Sequence, residues 1–441
     1  MIKSLLVANR GEIAVRIIRA CHDLGIRAVA VYSEADRHAL HVRLADRAIC
    51  IGPAAARESY LNGGNIISAA VHADCDAVHP GVGFLAENSE FARLVTASGL
   101  EWIGPAPEVI NLLGDKVKAK KMARDLGIPG IPGAEIETED PAAVRESAAR
   151  LGYPVILKAA AGGGGKGMRI VRKEEELENL LVVAANEARA AFSDGVLYLE
   201  KYLEDPRHVE IQIIALPDGS VRLLGERDCT VQFNHQKLVE ETPSPGLTEE
   251  NRRAMEDAAL TLFGKLGYAG LGTIEFLIVN GNCYFMEVNA RLQVEHSVTE
   301  MLTGIDLVGQ QILACTENRL EVTGEAEIPN GYALECRINA TAPGTVRQFI
   351  PPGGFGVRVD THLYEGLEVL SYYDALVAKV IVVGRDRMEG IRRMRRALSE
   401  FLLDGLPTNL ELQKAIISST VFAHGDFGTT TFDSILTEEK R

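Results

Sequence analysis

TIEFLIVNGNCYFMEVNARLQVEH, residues 273–296, reads as two apolar strands joined by a tight turn and followed by a run in which every second residue is polar. Asn280-Gly281 is a strong hairpin signal, because both residue types tolerate the positive φ of a tight β-turn. A three-residue loop over Asn280, Gly281 and Asn282 pairs Val279 with Cys283 and sets Glu275 opposite Glu287. A two-residue loop would put the two carboxylates on opposite faces. Facing carboxylates repel unless a cation lies between them. A hard ion such as Mg²⁺ takes such oxygens together with substrate phosphates. Beyond Glu287 the polar positions continue through Asn289, Arg291, Gln293 and Glu295, separated by Val288, Ala290, Leu292 and Val294. If the chain stays extended, all five polar side chains share one face. Apolar neighbours on both sides argue for burial, where unpaired charge is costly. The face is therefore read as a site rather than as a solvated strand edge.

Upstream, KAAAGGGGKGMRIV (residues 158–171) sets Gly162–Gly165 between two apolar strand candidates, with Lys158 and Lys166 on either side. Glycine lets backbone N–H groups approach an anion closely, and the lysines add charge. A P-loop needs Ser or Thr after its lysine, and Lys166 is followed by Gly167. The stretch is expected to be a flexible hairpin tip that closes over a nucleotide. LYLEKYL (197–203) reads either as an edge segment able to hydrogen-bond an adenine through its backbone or as a plain core strand. DCTVQFNHQKLVEE (228–241) supplies Gln232, His235 and Lys237, the last two on one strand face.

The first hundred residues alternate strand and helix, from SLLVAN and EIAVRIIRACHDLG onward, which implies a parallel sheet covered on both faces. ANRGEIA has one glycine where a dinucleotide fingerprint has three, so the unit is Rossmann-like without an expectation of NAD. A helix in GDKVKAKKMARDLGIP ends at Gly127 and Pro129. A smaller α+β unit follows over about 130–203, then mostly antiparallel strands from Arg207 to Asn289, interrupted by a helix over Glu249–Leu266. From about Glu321 short strands mix with a basic helix. Arg385, Arg387, Arg392, Arg393, Arg395 and Arg396 form its solvated face, and Ile391, Met394, Leu398, Phe401 and Leu402 its buried stripe. The fold class is α/β and α+β.

The chain has 441 residues, with 46 basic and 61 acidic side chains and a net charge of −15. This argues against a general nucleic-acid binder, while a local lysine and arginine cluster can still hold phosphate. Seven cysteines without a CxxC pair read as reduced thiols, not a disulfide framework or zinc site. The apolar run Leu5–Ala8 is too short for a signal peptide. No stretch approaches the roughly 20 apolar residues of a membrane span. The expected compartment is the cytoplasm, or an organelle matrix after removal of a targeting segment.

Taken together, ANRGEIAVRIIRA, HPGVGFLAEN, GDK, ILKAAAGGGGKGM, EKYLEDPRHVEIQ, ERDCTVQFNHQK, EVNARLQVEHSVTEM, ECRINA and YYDALVAKVI resemble the biotin carboxylase family of ATP-grasp enzymes along nearly the whole chain. The resemblance implies a Rossmann-like N-terminal domain (1–113), an ATP-grasp domain (114–320) with a mobile glycine-rich lid (about 130–203), and an α+β C-terminal domain (321–441). It implies that Lys116, Lys158, Gly164, Gly165 and Lys166 contact ATP phosphates. Glu200, Lys201, Tyr202, Leu203 and His208 would hold adenine and ribose, with Gln232 and His235 also at the ATP site. Glu275, Glu287 and Asn289 would bind Mg²⁺ or Mn²⁺, the two glutamates also serving the ATP site. Lys237, Arg291, Gln293, Val294 and Glu295 match the bicarbonate site, with Glu295 as general base, and Arg337 matches the arginine beside the biotin ureido oxygen. Lys237, Arg291, Glu295 and Arg337 are thus the catalytic set. The implied partners are a biotin carboxyl carrier protein and carboxyltransferase subunits, since no Met-Lys-Met stretch is present, and a second copy in a homodimer. The default is the biotin carboxylase component of an acetyl-CoA carboxylase, with propionyl-CoA, pyruvate and 2-oxoglutarate carboxylases as other settings.

Three departures fall near the acceptor side. Phe233 and Asn234 stand where the family commonly has two arginines, Val82 replaces a tyrosine, and TAPGTV after Asn339 is several residues shorter than usual. They leave open an ATP-grasp ligase acting on another nitrogen acceptor, or a nucleotide-binding subunit without catalysis.

Overall fold

The computed structural model describes residues 2–136, 141–159, 168–192, 197–234, 236–321 and 330–433. Its N-terminal sheet is built from β1 (Ser4–Val7), β2 (Arg27–Ser33), β3 (Arg47–Gly52), β4 (Ala77–His79) and β5 (Glu101–Trp102), parallel throughout in the order β3-β2-β1-β4-β5. That order places the centre of the sheet at β1, where doubly wound folds open their crevice. Leu5 and Val7 join one apolar cluster and Leu6 and Ala8 another, because alternate side chains leave opposite faces. The helix Gly11–Asp23 starts immediately after β1 at a glycine with φ of 67°. The lone glycine of ANRGEIA therefore serves a left-handed backbone position.

A second sheet holds β6 (Gly133–Ile136), β7 (Val155–Ala159), β8 (Met168–Val171) and β9 (Leu197–Lys201) in the order β6-β9-β7-β8. LYLEKYL is therefore not an edge segment: β9 is flanked on both sides, and past its end the Tyr202 N–H still donates to Pro154 O at 3.1 Å before the chain leaves at Leu203. The glycine hairpin tip, with Gly164, Gly165 and Lys166, lies outside the described residues, as does His235.

The largest sheet is antiparallel. Its strands are β10 (Arg207–Ala215), β11 (Val221–Phe233), β12 (Gln236–Thr242), β13 (Gly270–Val279), β14 (Asn282–Asn289) and β15 (Tyr332–Asn339). Two small ribbons follow, β16 (Gly344–Thr345) with β19 (Glu368–Val369), and β17 (Gln348–Ile350) with β21 (Leu402–Asp404). Finally β18 (Val357–Thr361) and β20 (Leu376–Gly384) complete the order β14-β13-β10-β11-β12-β15-β20-β18. One continuous ladder thus carries Glu275, Lys237 and Arg337 at fixed mutual positions.

The hairpin joining β13 and β14 corrects the expected turn. The loop has two residues, Asn280 and Gly281, with φ of 50° and 77°, and Val279 pairs with Asn282. A bulge between Glu275 and Phe276 then shifts the register by one, and Glu275 still falls opposite Glu287. An extra residue in one strand restores the facing that a two-residue loop alone would have reversed. The extended run also stops earlier than expected. β14 ends at Asn289, and Gln293–Glu295 turn into the helix His296–Thr303.

The basic helix spans Arg387–Glu400, and Ile391, Met394, Leu398 and Phe401 are buried as the spacing requires. Leu402 is 42% exposed, because the helix has ended and Leu402 opens β21. Arg387 departs from the solvated face: its Nε donates to Glu241 Oε2 at 2.6 Å, and its guanidinium lies 4.7 Å from the Phe422 ring centre. Gly390 in this helix leaves room for a neighbour. A Cβ there would stand 2.3 Å from Tyr332 Cδ1, a fully packed ring. Gly390→Ala is expected to lower stability by about 1–3 kcal/mol despite alanine's better helix propensity, read as a fall in the urea unfolding midpoint.

Candidate active site

One cavity of about 990 Å³ opens where the three sheets meet. Its nucleotide end is lined by apolar side chains, Ile156 and Met168 from the second sheet, Ile131 from the segment before β6, and Leu203, Leu277 and Met286. A slot of this composition suits a flat base. Glu200 lies at its floor, 1% exposed, between Lys158 Nζ, 2.6 Å from Oε2, and the Lys120 ammonium on Oε1. Burial pushes the Glu200 carboxyl up, but the two lysines outweigh it and hold it below the ordinary range. Lys201 turns its ammonium to the carbonyls of Gly152 and Tyr153, at 2.8 and 3.1 Å. Lys116 begins the helix Lys116–Asp125, whose first N–H groups are capped by Asp115, and its ammonium is 3.5 Å from Glu287 Oε2.

Next along the cavity, His208 Nδ1 accepts from Gln232 Nε2 at 2.7 Å, which leaves Nε2–H to donate to Glu275 Oε2 at 2.7 Å. Glu275 Oε1 accepts from Asn289 Nδ2 (2.8 Å), Lys237 Nζ (3.1 Å) and Gln293 Nε2 (3.3 Å). Burial alone would raise this carboxyl, but Lys237 and His208 hold it far below the usual range.

The far end is an alternating charge chain. Lys237 Nζ contacts Glu295 Oε1 (2.6 Å), Glu210 Oε2 (2.9 Å) and Glu275 Oε1 (3.1 Å). Arg337 spans Glu295 Oε2, at 2.9 Å from Nη2, and Glu240 Oε1, at 2.6 Å from Nε. Arg291 places Nη2 3.1 Å from Asn289 Oδ1, Nη1 3.0 Å from Gln293 Oε1, and Nε 3.1 Å from Glu87 Oε2. Burial acts to raise the Glu295 carboxyl, yet Lys237, Arg337 and Arg227 drive it well below the ordinary range. For the Lys237 ammonium burial acts downward, and the Glu210, Glu275 and Glu295 carboxyls outweigh it, so it stays charged. Glu240 is pushed up to about 7 by burial, only partly offset by Arg337.

The cavity wall therefore brings together Lys116, Lys158, Glu200, Lys201, Tyr202, Leu203, His208, Gln232, Lys237, Glu275, Glu287, Asn289, Arg291, Gln293, Val294, Glu295 and Arg337. The five alternating polar residues meet there even though the strand ends at Asn289, because the turn before the helix folds Gln293 and Glu295 back over Glu275. Glu210, Glu240, Glu87 and Lys120 were not singled out from sequence. The parity of His208, Glu210 and Gln212 on β10 carried the signal for Glu210. Glu87 lies inside the HPGVGFLAEN motif, which was the signal for it, and reaches Arg291 from the loop after β4.

The model for the biotin carboxylase N-terminal domain matches residues 1–110, that for the carbamoyl-phosphate synthase L chain ATP-binding domain residues 115–323, and that for the biotin carboxylase C-terminal domain residues 335–434. Biotin carboxylase 1 of Bacillus subtilis is 48% identical over 439 residues, covering 97% of this chain and 98% of the relative. The chain belongs to the biotin carboxylase family. Two solved biotin carboxylase structures share its fold. A biotin carboxylase–beta-gamma-ATP complex from Campylobacter jejuni superposes with a TM-score of 0.94 at 43% identity, over 98% of this chain and 99% of that one. The biotin carboxylase domain dimer of the Hydrogenobacter thermophilus 2-oxoglutarate carboxylase, in complex with MgADP, ADP and bicarbonate, gives 0.93 at 44% identity, over 98% of each chain. Among the described residues of this biotin carboxylase family member, no helix is long and apolar enough to cross a membrane.

The departures from the family pattern have structural counterparts. Phe233 packs against the C-terminal core, and Asn234 opens the β11–β12 turn with φ of 49°. Val82 lines the cavity, its carbonyl fixed by Asn9 Nδ2 at 2.7 Å.

Proposed function

We propose that this chain carboxylates biotin, borne on a separate carrier protein, using ATP and bicarbonate. The observation that carries this reading is Glu295 held between Lys237 and Arg337 at one end of a cavity whose other end gathers Lys116, Lys158 and Glu200. The division into residues 1–113, 114–320 and 321–441, the carrier and carboxyltransferase partners, the homodimer and the cytoplasmic setting belong to the same reading.

In it, the apolar slot and the β9 exit at Tyr202 and Leu203 take the base, and Lys116 and Lys158 take the phosphates. Glu275 and Glu287 oppose each other across β13 and β14, with Asn289 adjacent, an all-oxygen donor set that fits Mg²⁺ or Mn²⁺. When bound, the ion offsets phosphate charge. Lys237, Arg291 and the Val294 backbone hold bicarbonate. With Lys237 and Arg337 both on it, Glu295 is a weak base. Sharing those cations with bicarbonate raises its basicity, so that it draws the bicarbonate proton as the oxygen attacks the γ-phosphorus. ADP leaves, and carboxyphosphate forms and decomposes to CO₂ and phosphate. That phosphate takes the biotin N1′ proton, Arg337 stabilises the ureido oxygen as it gains charge, and N1 attacks CO₂ to give N1-carboxybiotin. The glycine stretch Gly162–Gly165 is the cover that keeps water from carboxyphosphate.

The test is ATP hydrolysis by the purified chain with Mg²⁺ and bicarbonate, with and without biotin. Turnover that requires bicarbonate and rises with free or carrier-borne biotin is expected. A second reading, carboxylation of another nitrogen acceptor, is favoured by neutral Phe233, Asn234 and Val82 on the acceptor side. Bicarbonate-dependent turnover that ignores both forms of biotin selects it, and no turnover selects a binding subunit.

A further inference from the structure

The turn that presents Glu295 is tied from behind at two carbonyls. Gln293 O accepts from His296 Nδ1 at 2.8 Å. Val294 O accepts from Lys379 Nζ at 2.7 Å. Lys379 lies on β20, directly across from Arg337 on β15, and its side chain is 0% exposed. Its neighbours come from other parts of the fold: Glu12 Oε1 at 3.4 Å from the helix after β1, and Asp360 Oδ2 at 4.0 Å from β18. A lone buried ammonium is costly, and an apolar side chain would fill the same place without that cost. What the ammonium adds is a donor that reaches Val294. The Val294 carbonyl and the Glu295 N–H belong to one planar peptide unit, so this clamp sets the direction in which Glu295 leaves the backbone. The clamp matters most once bicarbonate shares Lys237 and Arg337, because the carboxylate then has fewer ties at its own end.

We propose that Lys379 is a positioning residue for carboxylation: through the Val294 carbonyl it holds the peptide that aims Glu295 at bicarbonate. This rests on the functional reading above. The test compares the full chain with Lys379→Met and Lys379→Arg, following bicarbonate-dependent ATP hydrolysis, ATP binding and the thermal midpoint. In K379M, kcat/KM for bicarbonate is expected to fall about 100-fold, as for a displacement of roughly 1 Å in a reacting group, with ATP affinity within about threefold. K379R, which restores a cationic donor, is expected to recover about tenfold of that loss. Asp360→Asn removes a charge beside Lys379 but not the Val294 bond, so it should lower the midpoint and leave the bicarbonate kinetics unchanged. If K379M does not fold, K379M/E12Q deletes the ammonium with its counter-charge and serves the same comparison. Unchanged bicarbonate kinetics in K379M, or a loss of ATP affinity equal to the loss for bicarbonate, overturns the assignment. A wild-type chain without bicarbonate-dependent turnover overturns the functional reading and this assignment with it.

Discussion

Glu295→Ala is expected to lower bicarbonate-dependent ATP turnover roughly 1,000-fold, the scale of a lost general base, while ATP binds nearly as tightly as before. The separation follows from the layout of the cavity. The groups at the nucleotide end, Lys116, Lys158 and Glu200, do not touch Glu295, whose partners are Lys237 and Arg337. Both cations keep other carboxylates in the variant, Glu210 and Glu275 on Lys237 and Glu240 on Arg337, so the scaffold survives. Steady-state kinetics with varied bicarbonate, beside nucleotide binding by calorimetry, makes the measurement. An equal loss of ATP affinity would count against the general-base role.

Lys237→Met is expected to be the most damaging single change to both stability and activity. The lysine faces Glu210, Glu275 and Glu295, all buried, and its removal leaves three carboxylates with less cationic compensation. Breaking a buried ion pair from one side costs about 3–5 kcal/mol. The pH dependence should also weaken. In the wild type, Glu275 and Glu295 lie below their unfolded pKa values, so their contribution is present above the ordinary glutamate range and is lost as pH falls through the depressed folded values. Without Lys237, Glu275 keeps His208 and Glu295 keeps Arg337 and Arg227, so both carboxyls move up towards the ordinary range and less stability is gained as pH rises. Urea unfolding at pH 5 and pH 8 should show K237M closest to the wild type at the lower pH. A uniform deficit at both values would mean that Lys237 acts by packing rather than by charge.

Much of the site was legible because strand parity is a local property. Glu275 and Glu287 on one hairpin, and the run from Glu287 to Glu295, are spaced for one face by the period of the strand alone. The right pairing of the two glutamates was reached through the wrong turn, however. A bulge is chosen by packing across the sheet, and Asn280-Gly281 carries no record of it. The Leu197–Lys201 strand shows a related limit: local pattern identifies a strand but not its neighbours, and here β6 and β7 occupy both of its edges.

By itself the sequence determined the parallel N-terminal sheet, the antiparallel central strands, the family and part of the cavity lining, because hydrophobic period and short motifs act over a few residues. Only the tertiary structure decided which charges face one another. Lys237 meets Glu210 from β10, Glu275 from β13 and Glu295 from the turn after β14, while Arg337 reaches Glu295 from β15 and Lys379 reaches Val294 from β20. These partners are 27 to 85 residues apart in the chain. The energy of such a contact depends on distance and burial, not on sequence separation, so it exists only once the sheet has brought the strands together.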